Sequence, residues 1–247
     1  MTGSSSPSGR PVAVVTGASR GLGAFLARLL SGDRYDLILV ARTPGPLARI
    51  AEELRPRGGT VVDLAGDVAD PGLRGRVRAA AERFGRVDLL VNNASELGPS
   101  PLPRLREYPL AELERVYRVN VVAPIALTQE LGPVLERVGG LVVNISSDAA
   151  IGGYGGWGGY GASKAALDLA SRTLATELRE AGVSVVSVDP GDMRTEMHQA
   201  AFPSEDISDR PIPESTLPFW AWLLGQPKAA ISGQRFRAQA EHWGVSA

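Results

Sequence analysis

The chain has 247 residues, 26 basic and 27 acidic side chains, and a net charge of −1. It has no cysteine and only two histidines, His198 and His242, so disulfides, a thiol nucleophile and a thiolate metal site are excluded, and no zinc-ligand spacing is present. The balanced charge offers no attraction to nucleic acid or an anionic membrane, and no apolar run approaches the ~20 residues that cross a bilayer.

Residues Met1 to Arg10 are rich in Ser, Gly and Pro and read as a disordered tail. Pro11–Thr16 is a β-type run, followed by a glycine-rich turn and a helical stretch from Leu22 to Leu30. Asp36–Ala41 reads as a second strand, Pro46–Arg55 as a helix with Pro at its start, and Thr60–Ala65 as a third strand. Pro71–Phe84 is a basic-faced helix and Val87–Val91 a fourth strand. Leu110–Arg137 carries one or two helices, with Pro124 and Pro133 marking bends or breaks. Gly140–Ser146 is a fifth strand, Gly161–Ala181 a long helix ending at Gly182, Val183–Val188 a sixth strand, and Gln234–Arg237 a seventh.

The strands are almost continuously apolar, the pattern of a parallel sheet covered on both faces. Alternation with helices predicts an α/β fold: one doubly wound, Rossmann-type domain over residues 11–247. Ligands in such sheets sit beyond the carboxyl ends of the strands.

The first strand runs into Thr16-Gly17-Ala18-Ser19-Arg20-Gly21-Leu22-Gly23. Glycines at a strand–helix junction allow a tight turn and let backbone N–H groups approach a pyrophosphate, which the positive end of the helix favours. The second strand ends in Ala41-Arg42-Thr43. An acidic residue there would hold the adenosine ribose of NAD, whereas an arginine accommodates the extra phosphate of NADP. Arg42, helped by Arg20, therefore predicts NADP(H) in preference to NAD(H).

Tyr160-Gly161-Ala162-Ser163-Lys164 forms a Y-x-x-x-K pair, and Ser147 lies thirteen residues before the tyrosine, after the fifth strand. Together with the glycine loop, these residues resemble the short-chain dehydrogenase/reductase family, in its branch of about 250 residues. The resemblance runs from Val12 to about Arg237. Asn92-Asn93-Ala94 matches the family's N-N-A motif, but Ser95 stands where Gly usually follows. Asp67-Val68 resembles the pair that contacts adenine, and Asn120 the family's helix asparagine. Pro190-Gly191, with Met193 and Thr195, resembles the loop that grips the nicotinamide carboxamide.

Positions i and i+4 share a helix face, which keeps Lys164 beside Tyr160. Free tyrosine titrates near ~10, too high for efficient proton transfer at neutral pH, and a nearby ammonium is expected to lower it. Tyr160 is then the proton donor to a substrate oxygen, and Ser147 holds that oxygen. Ser146 competes for this role, but adjacent strand residues face opposite ways and the family spacing selects Ser147. The resemblance also implies that Lys164 anchors the nicotinamide ribose and that Asn120 serves a water-mediated proton relay.

Gly152–Gly159 carries six glycines, with Tyr154 and Trp157 as its bulky groups. Residues 192–226 form a long connection containing Met193, Met197, Phe202, Ile207, Ile212, Leu217, Phe219, Trp220 and Trp222. It is expected to be a lid over an apolar or bulky substrate; the alternative is that these side chains pack on the core or in a subunit interface. The expectation is a cytoplasmic homodimer or homotetramer that reduces a carbonyl, or oxidises the matching alcohol, without metal. Two alternatives stand beside it: an epimerase or dehydratase of the extended family branch, against which the short length argues, and a cofactor-sensing regulatory protein, against which the intact Tyr–Lys pair argues.

Overall fold

In the computed structural model, which describes residues 9–32 and 34–244, seven strands form one parallel sheet in the order β3-β2-β1-β4-β5-β6-β7. The strands are β1 (Val12–Thr16), β2 (Asp36–Ala41), β3 (Val61–Ala65), β4 (Leu89–Asn92), β5 (Leu141–Ile145), β6 (Ser184–Asp189) and β7 (Arg235–Arg237). The helices are α1 (Gly21–Leu30), α2 (Pro44–Leu54), α3 (Pro71–Phe84), α4 (Leu110–Tyr117), α5 (Ala123–Glu136), α6 (Gly158–Glu177), α7 (Glu196–Ala201), α8 (Leu217–Gly225) and α9 (Lys228–Ile231).

The apolar strands bury both faces. On one face Ala13, Val15, Leu37, Leu39 and Val143 pack against α1, α2 and α8. On the other, Val12, Val14, Ile38, Val40 and Val142 pack against α3, α5 and the end of α6. Alternation along each strand thus feeds two cores rather than one core and one wet surface. The chain winds outward from β1 to β3, then returns to β4 beside β1. That reversal opens a cleft above the β1 and β4 ends, where doubly wound sheets bind ligands.

Several expected boundaries shift. Arg10, grouped above with the tail, donates through its guanidinium to the Gly32 and Gly58 carbonyls; the rest of that stretch up to residue 8 lies outside the described residues. Helix α2 begins at Pro44, with Pro46 two residues on, still in its first turn. The helical stretch after Leu110 is two α-helices joined by a π-helical turn at Arg118–Val122. Pro124 opens α5, and α5 continues through Pro133. Helix α6 starts at Gly158, earlier than expected, and ends at Glu177 before the turn at Gly182. Among the described residues, no helix is long and apolar enough to cross a membrane.

The long connection after β6 divides. Residues near α7 stand over the cleft. Phe219 and Trp220 instead lie fully buried in the core. Phe219 sits 5.1 Å from Trp220 and 5.5 Å from Trp243 between ring centres, and Trp222 sits 5.3 Å from Phe236. Phe219→Ala should therefore behave as a core truncation, costing about 3–5 kcal/mol, read by urea denaturation. Unchanged stability would return this segment to the cleft side.

Candidate active site

The cleft has a volume of about 820 Å³. One end of it is built on the β1–α1 turn. Thr16 Oγ1 accepts from the backbone N–H of Asn93 at 2.9 Å and Ala94 at 3.0 Å, and donates to the Val91 carbonyl. Asn93 Nδ2 donates back to the Thr16 carbonyl at 2.8 Å. Gly17 has φ +67°, a left-handed conformation, and a Cβ at Gly23 would stand 2.2 Å from the Gly17 carbonyl oxygen. The turn therefore needs both glycines. No side chain caps α1 and no acidic residue occupies its first turn. Gly21 and Leu22 at its start line the cleft, so its first N–H groups and positive dipole end offer a favourable place to an anion such as a pyrophosphate. Arg20 pairs with Glu196 of α7.

At the adenosine end, Arg42 follows β2 and its Nη1 lies 2.8 Å from Glu96 Oε2. Asp67 follows β3. Burial disfavours its charge, but the Ala69 N–H and the Arg115 guanidinium hold its carboxyl below the usual range. The Arg115 contact is 2.8 Å. Val68 is buried beside it.

The other end of the cleft gathers the reactive side chains. Tyr160 and Lys164 lie one turn apart on α6, and both are buried. Lys164 Nζ donates to the Ile145 carbonyl at the end of β5, at 2.8 Å, and sits 5.5 Å from the centre of the Tyr160 ring. Burial pushes the Tyr160 phenol up to about 12, although hydrogen bonding with the Ser95 and Ser147 side chains pulls the other way. Burial also draws Lys164 down to about 8. The expected lowering of the phenol by Lys164 is thus not what these residues produce: burial dominates, the nearby Asp189 and Asp148 charges add to it, and the lowering influences come from the two serines.

Ser147 Oγ donates to Asp148 Oδ1 and accepts from the Ala149 N–H. Ser146 is buried, and its Oγ has no partner among the described residues. Asn120 lies in the π-helical turn with its amide fully engaged. Its Oδ1 accepts from Ser95 Oγ at 3.1 Å and the Glu96 N–H at 2.7 Å. Its Nδ2 donates to the Glu96 carbonyl and Ser163 Oγ.

On the substrate side, Trp157 packs edge-on to Tyr160 at 5.8 Å and meets Phe202 at 5.9 Å; His198 lies 5.0 Å from Phe202. Met193 and Met197 line the same wall. Pro190 and Gly191 are held by Gln239, which donates to the Pro190 and Asp192 carbonyls. Thr195 caps α7 and reaches the glycine turn at Gly21.

Every expected site residue lines this cleft except two. Gly23 lies beneath Gly17, and Asn120 stands behind the Ser95 loop. Two contributors escaped the sequence reading. Ser95 had a signal, since it departs from the family's glycine. Glu96 had none, because its pairing with Arg42 exists only across the folded cleft.

The short chain dehydrogenase family profile matches residues 11–206. The chain belongs to the short-chain dehydrogenase family. It is 34% identical over 180 residues to the ketoacyl reductase HetN of Nostoc, which covers 72% of this chain and 62% of that protein. It is 36% identical over 213 residues to an L-xylo-3-hexulose reductase of Hypocrea jecorina, covering 78% and 70%. A short chain dehydrogenase from Escherichia coli, solved with NADPH, superposes with a TM-score of 0.82 at 30% identity, covering 93% of this chain and 97% of that one. The chain is thus an oxidoreductase by family, with relatives named for quite different ketones.

Gly23→Ala should force the turn apart. We expect a loss of about 1–3 kcal/mol and a large weakening of dinucleotide affinity, measured by thermal melting and calorimetry. Wild-type behaviour in both would show that the turn tolerates a methyl group.

Proposed function

We propose that this protein is an NADPH-dependent carbonyl reductase, which reduces a carbonyl or, in reverse, oxidises the matching alcohol. The observation that carries the reading is the convergence of Tyr160, Lys164 and Ser147 at one end of a cleft whose other end is the glycine turn and Arg42. The relative solved with NADPH and the one named a ketoacyl reductase support it. The Gly17–Gly23 turn would hold the pyrophosphate, Arg42 and Arg20 the 2′-phosphate, Asp67 and Val68 the adenine, and Lys164 the nicotinamide ribose. When bound, the nicotinamide supplies a hydride to the carbonyl carbon.

The side chains then divide the work. Ser147 turns its hydroxyl from Asp148 toward the substrate oxygen and stabilises the charge that develops there. Tyr160 delivers its phenolic proton to the same oxygen. A phenol raised by burial holds its proton firmly at neutral pH, so the phenolate left behind needs the serine hydroxyls and the Lys164 charge. Asn120 braces the Ser95–Glu96 loop from behind, and any relay would have to bypass its fully bonded amide.

Trp157, Met197 and Phe202 form an apolar wall beside Tyr160. That wall favours bulky or apolar ketones, and residues 192–202 act as the lid. A regulatory protein without turnover is the second reading, but it gives no reason to bury a Tyr–Lys pair beside Ser147.

NADPH consumption against ketones graded from small and polar to bulky and apolar tests this. Tyr160→Phe should retain NADPH binding and lose turnover by about 10²–10⁴-fold. NADPH binding without turnover on any ketone would favour the regulatory reading. The pH profile gives a second test. Lys164 is drawn down to about 8, so its ammonium is present below that pH and lost above it. Reductive kcat/KM should therefore fall as pH rises through about 8. A flat profile through pH 10 would remove the Lys164 charge from the mechanism.

A further inference from the structure

We propose that Glu96 is a cofactor-discriminating residue: it pairs with Arg42 at the place a 2′-phosphate would occupy and gives Arg42 up only to a dinucleotide carrying that phosphate. The inference rests on the NADP(H) reading above.

The backbone of Glu96 is fixed. Its N–H donates to Asn120 Oδ1 at 2.7 Å, and its carbonyl accepts from Asn120 Nδ2 at 2.9 Å. Only the side chain is left to reorient. That side chain reaches from the β4 side of the cleft to Arg42 at the end of β2, at 2.8 Å. Glu96 and Arg42 both line the cleft, so the pair lies within the space the adenosine end must share.

A ribose 2′-phosphate carries a charge of about −1.5 to −2 near neutral pH. To engage Arg42 it must replace the carboxylate, and a carboxylate left in place would repel it. Glu96 has a second position to take. Arg115 Nε stands 3.6 Å from the same Oε2, and Arg115 is itself anchored to Asp67 Oδ2 at 2.8 Å. Glu96 can therefore pass from Arg42 to Arg115 without being left unpaired. Arg115 does not line the cleft, so it acts here as a positioning residue. NAD(H) has no group that calls on Arg42, and its affinity does not require the exchange.

Calorimetric titration of the full chain with NADPH and with NADH tests this, in the wild type, Glu96→Gln and Arg115→Gln. The Arg42–Glu96 pair is partly exposed, so the expected change is modest: Glu96→Gln should tighten NADPH relative to NADH by about two- to fivefold. Arg115→Gln removes the alternative partner and should shift the ratio the other way. The opposite signs separate discrimination from general loosening of the loop. An equal shift of both nucleotides, or no shift in Glu96→Gln, overturns the proposal while the cofactor reading stands. A wild-type protein that binds neither nucleotide overturns both.

Discussion

Thr16 and Asn93 join the ends of the two strands between which the chain reverses its winding. Thr16 Oγ1 receives two backbone N–H groups from the β4 side, and Asn93 returns a hydrogen bond to the Thr16 carbonyl. The loops that leave the two ends of this clasp both line the cleft. The glycine turn and α1 follow Thr16. Ser95 and Glu96 follow Asn93, and through them the clasp reaches Asn120, Ser163 and the start of α6. The distance between those two loops is thereby set by the pairing of β1 with β4. The apolar side chains of the adjoining strands are buried on both faces, so that distance is backed by the cores on either side of the sheet.

The same rigidity carries an electrostatic cost at the reactive end. Tyr160 and Lys164 are both buried, and burial moves their proton affinities apart, the phenol upward and the ammonium downward. Both shifts favour the neutral forms. The protein answers with fixed dipoles: Ser95 and Ser147 on the phenol, and the Ile145 carbonyl on the ammonium. A site of this kind holds its proton until charge develops on a bound oxygen, which suits a general acid better than a standing phenolate. At the adenosine end the charges are handled differently. Arg42, Glu96, Arg115 and Asp67 are partly exposed and mutually paired, and so can be exchanged at small cost.

Much of this was legible in the sequence because it depends on local patterns. Continuous runs such as Asp36–Ala41 announce a strand buried on both faces, and the glycines from Gly17 to Gly23 announce the turn. Tyr160 and Lys164 carry their spacing with them. Other features depend on contacts between distant parts of the chain. The apolar residues between Met193 and Trp222 look alike in sequence, yet Phe202 stands at the cleft while Phe219 and Trp220 enter the core. The π-helical turn that presents Asn120 has no composition of its own. Two glycines weaken helix propensity at Gly158 and Gly159, so the sequence places the start of α6 too late; a Cβ at either position would crowd Leu105 or Tyr108, so close packing selects them there. The pairing of Arg42 with Glu96 joins residues 54 positions apart and follows no periodicity.

The most direct test follows the hydrogen itself. The protein would be given NADPH carrying deuterium at both C4 positions together with a turned-over ketone, and the alcohol product analysed by mass spectrometry and NMR. The account predicts one deuterium on the carbinol carbon, with the hydroxyl proton drawn from solvent by way of Tyr160. An alcohol without deuterium at that carbon, or label transfer that persists undiminished in Tyr160→Phe, would contradict it.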